Sequence, residues 1–215
     1  MSRLTDNLES IADQIRLNFS AKDAAREKAL PQCREVIRSC GNAIRAVHRH
    51  EFDRAGELLQ SARNLLNDVE QTVAAYGELS HASFTRDAQK EFAEGSITLA
   101  LVTEKQLPDP DELGVGSAAY LNGLGEAVGE LRRYLLDSMR RGDLSRGEEF
   151  LSAMDDIYST LVTMDFPDAI TGGLRRTTDM VRGVLERTRS DLTLAIRQKE
   201  LEERLGKFEG ESSVD

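Results

Sequence analysis

Apolar residues recur at three- and four-residue intervals along most of the chain, the spacing that places them on one face of a helix. Leu4, Leu8, Ile11, Ile15 and Phe19 keep this spacing, as do Cys33, Val36, Ile37, Cys40, Ile44 and Val47. The region from Leu4 to His48 is therefore expected to be helical, with Pro31 either kinking it or opening a second helix. A second helix is expected from Asp53 to about Tyr76, with Ala55, Leu58, Leu59, Ala62, Leu65, Leu66 and Val69 inward. A third should run from Arg86 to about Lys105, and residues 107–116 (LPDPDELGVG) should form a loop with one helical turn at Asp109–Leu113.

The stretch Ser117–Arg141 carries Tyr120, Leu124, Val128, Leu131 and Leu135 on one face, with Ser117 as the expected N-cap and Gly142 just past the end. Leu144 to about Met164 is a further helix. After the Pro/Gly break at Asp165–Gly173, a long helix from Leu174 to about Leu205 closes the chain in a near-heptad pattern. No strand signal or fixed-period repeat is evident. The pattern predicts an all-α bundle of about six or seven helices, one domain over residues 1–205 with a frayed tail at 206–215.

Composition narrows the picture. The chain has 215 residues, 40% apolar and 31% charged, enough for one large domain with a real core. The net charge of −10 means that any nucleic-acid binding must rest on a local basic patch. Cys33 and Cys40 lie on one expected helix about 10 Å apart, too far to bridge, so buried thiols in a reducing cytoplasm are expected. No secretory leader is evident, and the longest clean apolar run, Ile97–Val102, is too short to span a bilayer, so no membrane partner is expected.

Two helices each offer a carboxylate pair. Glu91 and Glu94 stand three apart, and Glu126 and Glu130 four apart, so each pair shares a helix face. Facing pairs of this kind build divalent-metal sites in bundles, and an oxygen-only set suits Mg²⁺ or Mn²⁺. Solvated glutamates on exposed stripes would show the same spacing. Gly125 and Gly129 lie in the interior of the second helix, where each costs about 1 kcal/mol relative to alanine, which suggests a close helix approach. Arg34, Arg38, Arg45 and Arg49 fall on one side of the first helical region, with His48 near them. This stripe is either a solvated face or a phosphate track. Neither a nucleophile elbow nor a phosphate-binding glycine loop is present.

Residues 90–95 (KEFAEG) and 119–132 (AYLNGLGEAVGELR) resemble the two central motifs of the translin family. VHRHEF at 47–52, the Gly142–Asp143 turn and the Pro/Gly break before the last helix are similar to that family in order and spacing. The resemblance spans roughly Leu30 to Leu205 and is closest to the translin-associated factor X type, in a bacterial or archaeal form. It implies a translin-like fold, a homo-oligomer in the form of a hollow octamer, and single-stranded RNA or DNA as partner. It also implies metal-dependent endoribonuclease activity, with Glu91, Glu94, Glu126 and Glu130 as the catalytic and Mg²⁺- or Mn²⁺-holding set. The family carries aspartate where this chain has Glu126, so the carboxylate here reaches one methylene further. A non-catalytic RNA- or DNA-binding protein, or a helical oligomeric interaction protein, is the alternative.

Overall fold

The computed structural model describes residues 5–212, and the side chains of 208–212 are not described. All regular elements among the described residues are helices: six long ones and three single turns. The long helices are α1 (Leu8–His48), α2 (Phe52–Val73), α4 (Ser83–Val102), α6 (Ser117–Arg140), α7 (Gly147–Val162) and α9 (Leu174–Ser212). The single turns are α3 (Gly77–Ser80), α5 (Pro110–Leu113) and α8 (Asp168–Thr171).

The alternatives for Pro31 resolve into one continuous helix, with Pro31 inside α1. Ala29, Cys33 and Val36 are buried on either side of it, so packing holds the helix through a residue that cannot donate a backbone hydrogen bond. The turn expected near Asp109 forms as α5, closed by a capping box between Asp109 and Glu112 and by Gly114 in the left-handed region.

Two expectations need correction. Ser117 does not cap α6. It is the first helical residue, and the extended Gly116 precedes it as N-cap without a side-chain hydrogen bond. The first helix also begins at Leu8 and not at Leu4, after a turn at residues 5–7, while residues 1–4 and 213–215, with the last part of the expected tail, lie outside the described residues. Helix α9 runs through residue 206 to Ser212.

One side of the core is built where α1 packs on α2 and α4, and the other where α6 packs on α4, α7 and α9. Cys40, Val47, Phe92, Ile97, Val128, Leu131, Met154 and Val181 form a continuous buried cluster through these layers. Cys33 and Cys40 are both free and buried, as expected, and burial pushes their thiols up to about 11 and about 12. Arg132 ties α6 to α9 by hydrogen bonds to Thr188 Oγ1 (3.0 Å) and Asp191 Oδ2 (2.6 Å).

The α4–α6 contact positions the glutamates. A Cβ at Gly123 would sit 2.7 Å from the Lys90 carbonyl oxygen and 3.0 Å from the Glu94 nitrogen, so only glycine allows the two backbones to approach this closely. The glycines singled out in the sequence do other work. Gly125 makes room for Thr177 and Val181 of α9, and Gly129 has open space beside it.

Candidate metal centre

Where α4 crosses α6, ligand oxygens of Glu91, Glu94 and Glu126 all lie within 4.8 Å of one another. The α4 pair comes from one helix face, and Gly123 lets the α6 residue reach it. The three carboxylates repel one another, and burial removes the water that would screen them. Glu94 is 8% exposed, and burial together with the charges of Glu126, Glu91 and Glu130 pushes its carboxyl up to about 8. Burial and the Glu126 charge also raise Glu91, opposed by Lys90.

Lys90 is the only cation among the described residues that pairs with this cluster. Its Nζ lies 2.7 Å from Glu126 Oε1 and 3.6 Å from Glu91 Oε1. Burial works to lower its pKa, but the hydrogen bond and charge of Glu126, with Glu91 and Glu94 behind, outweigh that and leave it raised. The pattern of helix faces assigns Lys90 no role. Its only signal is its place beside Glu91 in KEFAEG.

Glu130 is not part of the converging set. It points one turn along α6 to His48, whose Nε2 lies 2.5 Å from Glu130 Oε2. The His48 side chain is 6% exposed, and its Nδ1 is buried with no hydrogen-bond partner among the described residues. The structure thus places Glu130 beside the cluster, close enough for its charge to act on Glu94, and turns His48 inward to Glu130 and away from the exposed arginines.

Arg34, Arg38, Arg45 and Arg49 are all exposed. Arg38 pairs with Glu35 on its own helix, and Arg45 bonds Asn42 Oδ1 at 2.7 Å. Cys40 is buried close enough to Glu91 and Glu94 to feel both charges, so it marks the side of α1 that faces the cluster. At about 100° per residue the four arginines lie about 120–180° round the helix from it. The structure therefore does not bring the stripe and the carboxylates together on one surface of this chain.

The donor set fits a hard divalent cation. It is all oxygen, it is partly buried, and its negative charge is only partly met by one lysine. It offers no thiol or imidazole of the kind zinc prefers.

No protein-family model matches the chain. An uncharacterised protein of Methanocaldococcus jannaschii is 30% identical over 196 residues, which cover 88% of this chain and 85% of that protein. The solved structure of AfC3PO with duplex RNA is 34% identical and superposes with a TM-score of 0.79 over 87% of this chain and 97% of its own. A second structure, a crystal structure of AfC3PO, is 33% identical, with a TM-score of 0.78 over 87% of this chain and 97% of its own. NeC3PO, at 17% identity and a TM-score of 0.77 over 91% of this chain, shares the fold.

Proposed function

We propose that this chain, which belongs to the translin family of C3PO-like proteins, binds RNA and hydrolyses its phosphodiester bonds at the Glu91–Glu94–Glu126 cluster. The observation that carries the reading is the convergence of those three carboxylates, held together by glycine-mediated contact between α4 and α6. Within the family, the motif resemblance and the three carboxylates support reading the chain as the translin-associated factor X type. AfC3PO has been solved with duplex RNA, so the partner is RNA in single-stranded or duplex form, wider than the single strands expected from the sequence.

Glu91, Glu94 and Glu126 would hold Mg²⁺ or Mn²⁺, which when bound lowers the pKa of a water and stabilises charge on a phosphodiester oxygen. The rest is done by the chain's own groups. Lys90 Nζ is the cluster's internal counter-charge, and it is free to turn to a phosphate oxygen once its glutamates are otherwise neutralised. His48 Nε2 and Glu130 Oε2 hold a proton between them at the edge of the cluster. Gly123 fixes the separation of the two helices on which all the carboxylates stand.

The protein works as a homo-oligomer. Leu8, Ile11 and Ile15 form an apolar stripe on the projecting start of α1, and Leu194, Leu201 and Leu205 are likewise exposed on α9. Exposed apolar residues repeating at helical spacing on two long helices suit packing against further copies.

The Lys90–Glu126 contact favours one other reading, in which the acidic cluster is neutralised internally and the protein binds RNA without cutting it. Cleavage of a labelled RNA in Mg²⁺, Mn²⁺ or EDTA separates the two, with the Glu94→Gln, Glu126→Gln double variant alongside. The nuclease reading expects cleavage only with a divalent cation, and its loss in the variant at unchanged helicity. Metal-dependent cleavage retained by the variant would sink the site assignment.

A further inference from the structure

A cavity of about 420 Å³ opens between α4, α6, the α8 turn and the start of α9, and its wall includes Lys90 and Glu126 of the carboxylate cluster. It is the size of a small-molecule site and adjoins the place where the backbone of a bound strand would be cut. Its floor is fixed. Asn122 donates from Nδ2 to the Ala118 and Thr171 carbonyls (both 2.8 Å) and accepts from Thr177 Oγ1 (2.7 Å), which pins the chain turn at Gly172 to α6 and α9.

The charges on the wall fall into two groups. Lys90 and Glu126 satisfy each other at 2.7 Å. Arg86 and Asp87 on α4, Asp168 on α8 and Arg176 on α9 also line the cavity, and no ion pair or side-chain hydrogen bond among the described residues involves any of them. Two guanidinium groups and two carboxylates thus share one cavity without pairing. A bare phosphate would meet the guanidiniums but be repelled by the carboxylates. A nucleotide suits both: its phosphate accepts from arginine, while ribose hydroxyl and base amino groups donate to aspartate. The 2′-hydroxyl is the group by which such a site distinguishes RNA from DNA.

We propose that this cavity is a ribonucleotide subsite beside the carboxylate cluster, with Arg86 and Arg176 on the phosphate and Asp87 and Asp168 accepting from the ribose and base. The assignment rests on the RNA-cleaving reading of that cluster, and it puts strand-holding cations next to the carboxylates, where the exposed α1 stripe does not.

The test is calorimetric binding of 5′-AMP, 5′-dAMP and inorganic phosphate to the full chain, with RNA cleavage measured on the same preparations. The wild type should bind 5′-AMP more tightly than 5′-dAMP, and both more tightly than phosphate. Arg86→Gln with Arg176→Gln, both exposed positions, should weaken 5′-AMP about tenfold or more. In RNA binding, the same variant should flatten the slope of log K against log salt by about 0.7 for each phosphate that the arginines no longer neutralise. Asp87→Asn with Asp168→Asn should erase the preference for 5′-AMP over 5′-dAMP. No binding of 5′-AMP by the wild type, unchanged binding by the arginine variant, or phosphate binding as tight as 5′-AMP would each overturn the subsite. Absent cleavage alongside arginine-dependent 5′-AMP binding would overturn the nuclease reading alone.

Discussion

Glu94 is the residue whose chemistry the fold alters most clearly among the three glutamates: its carboxyl titrates at about 8, pushed up by burial and by three neighbouring carboxylates. The consequence for stability has a definite sign. The folded pKa lies above the unfolded one, near 4.5, so the folded state binds the extra proton between those values. The contribution is fully present below about pH 4.5 and is lost as pH rises through about 8. Metal-free protein should therefore unfold at progressively lower urea as pH goes from 5 to 8. Glu94→Gln should flatten that decline, and an equally steep decline in the variant would contradict the account. Site residues differ in how legible they are. Glu91, Glu94 and Glu126 are readable because helical spacing and the motif resemblance both point to them. The contact of Glu130 with His48 is not readable, because spacing on α6 says nothing about a residue that arrives from α1, 82 residues away in sequence. Arg86 and Arg176 carry no signal at all, since only the packing of α4 against the start of α9 sets them around one cavity.

At the level of elements, the fold is legible wherever an apolar face is continuous. The six long helices fall near their expected positions because each buries one stripe against its neighbours, and α5 follows from local capping chemistry alone. The phase of one helix against another is not legible. Gly123, Gly125 and Gly129 look alike in sequence, yet only Gly123 sits at the α4 backbone. Gly123→Ala must push α4 and α6 apart, because its Cβ would meet backbone atoms that cannot rotate away. It should destabilise the fold by about 1–3 kcal/mol in urea unfolding and loosen the carboxylate cluster. Gly129→Ala, with nothing within 4 Å of the added Cβ, should be neutral or stabilise by up to about 1 kcal/mol through helix propensity. Equal costs at the two positions would show that helix propensity, not close approach, explains the glycines. The expected Ser117 cap fails for a similar reason. The extended Gly116, whose amide donates to Gln89 Oε1 at 3.4 Å, already supplies the entry to α6.

For the whole molecule, the apolar pattern of α1 extends well beyond the core it serves. Leu8, Ile11 and Ile15 continue the periodicity that Cys33, Val36 and Cys40 use for burial, yet they stand 59%, 47% and 48% exposed. Ile11→Glu with Ile15→Glu should leave helicity and core stability unchanged and reduce the mass measured by light scattering. An unchanged mass would contradict assembly through this stripe. The electrostatic plan also acts at this scale. A chain of net charge −10 gathers buried acidity at one helix crossing and sets Arg86 and Arg176, which have no ion-pair partner among the described residues, in the adjoining cavity. RNA binding should accordingly weaken steeply with salt. The central claim is that Glu91, Glu94 and Glu126 form a divalent-cation site, and titration of the full chain with Mn²⁺, followed by electron paramagnetic resonance, tests it most directly. The account predicts saturable binding of Mn²⁺ that Mg²⁺ displaces and that the Glu94→Gln, Glu126→Gln variant loses. Mn²⁺ binding of unchanged affinity in that variant, or none in the wild type, would contradict it.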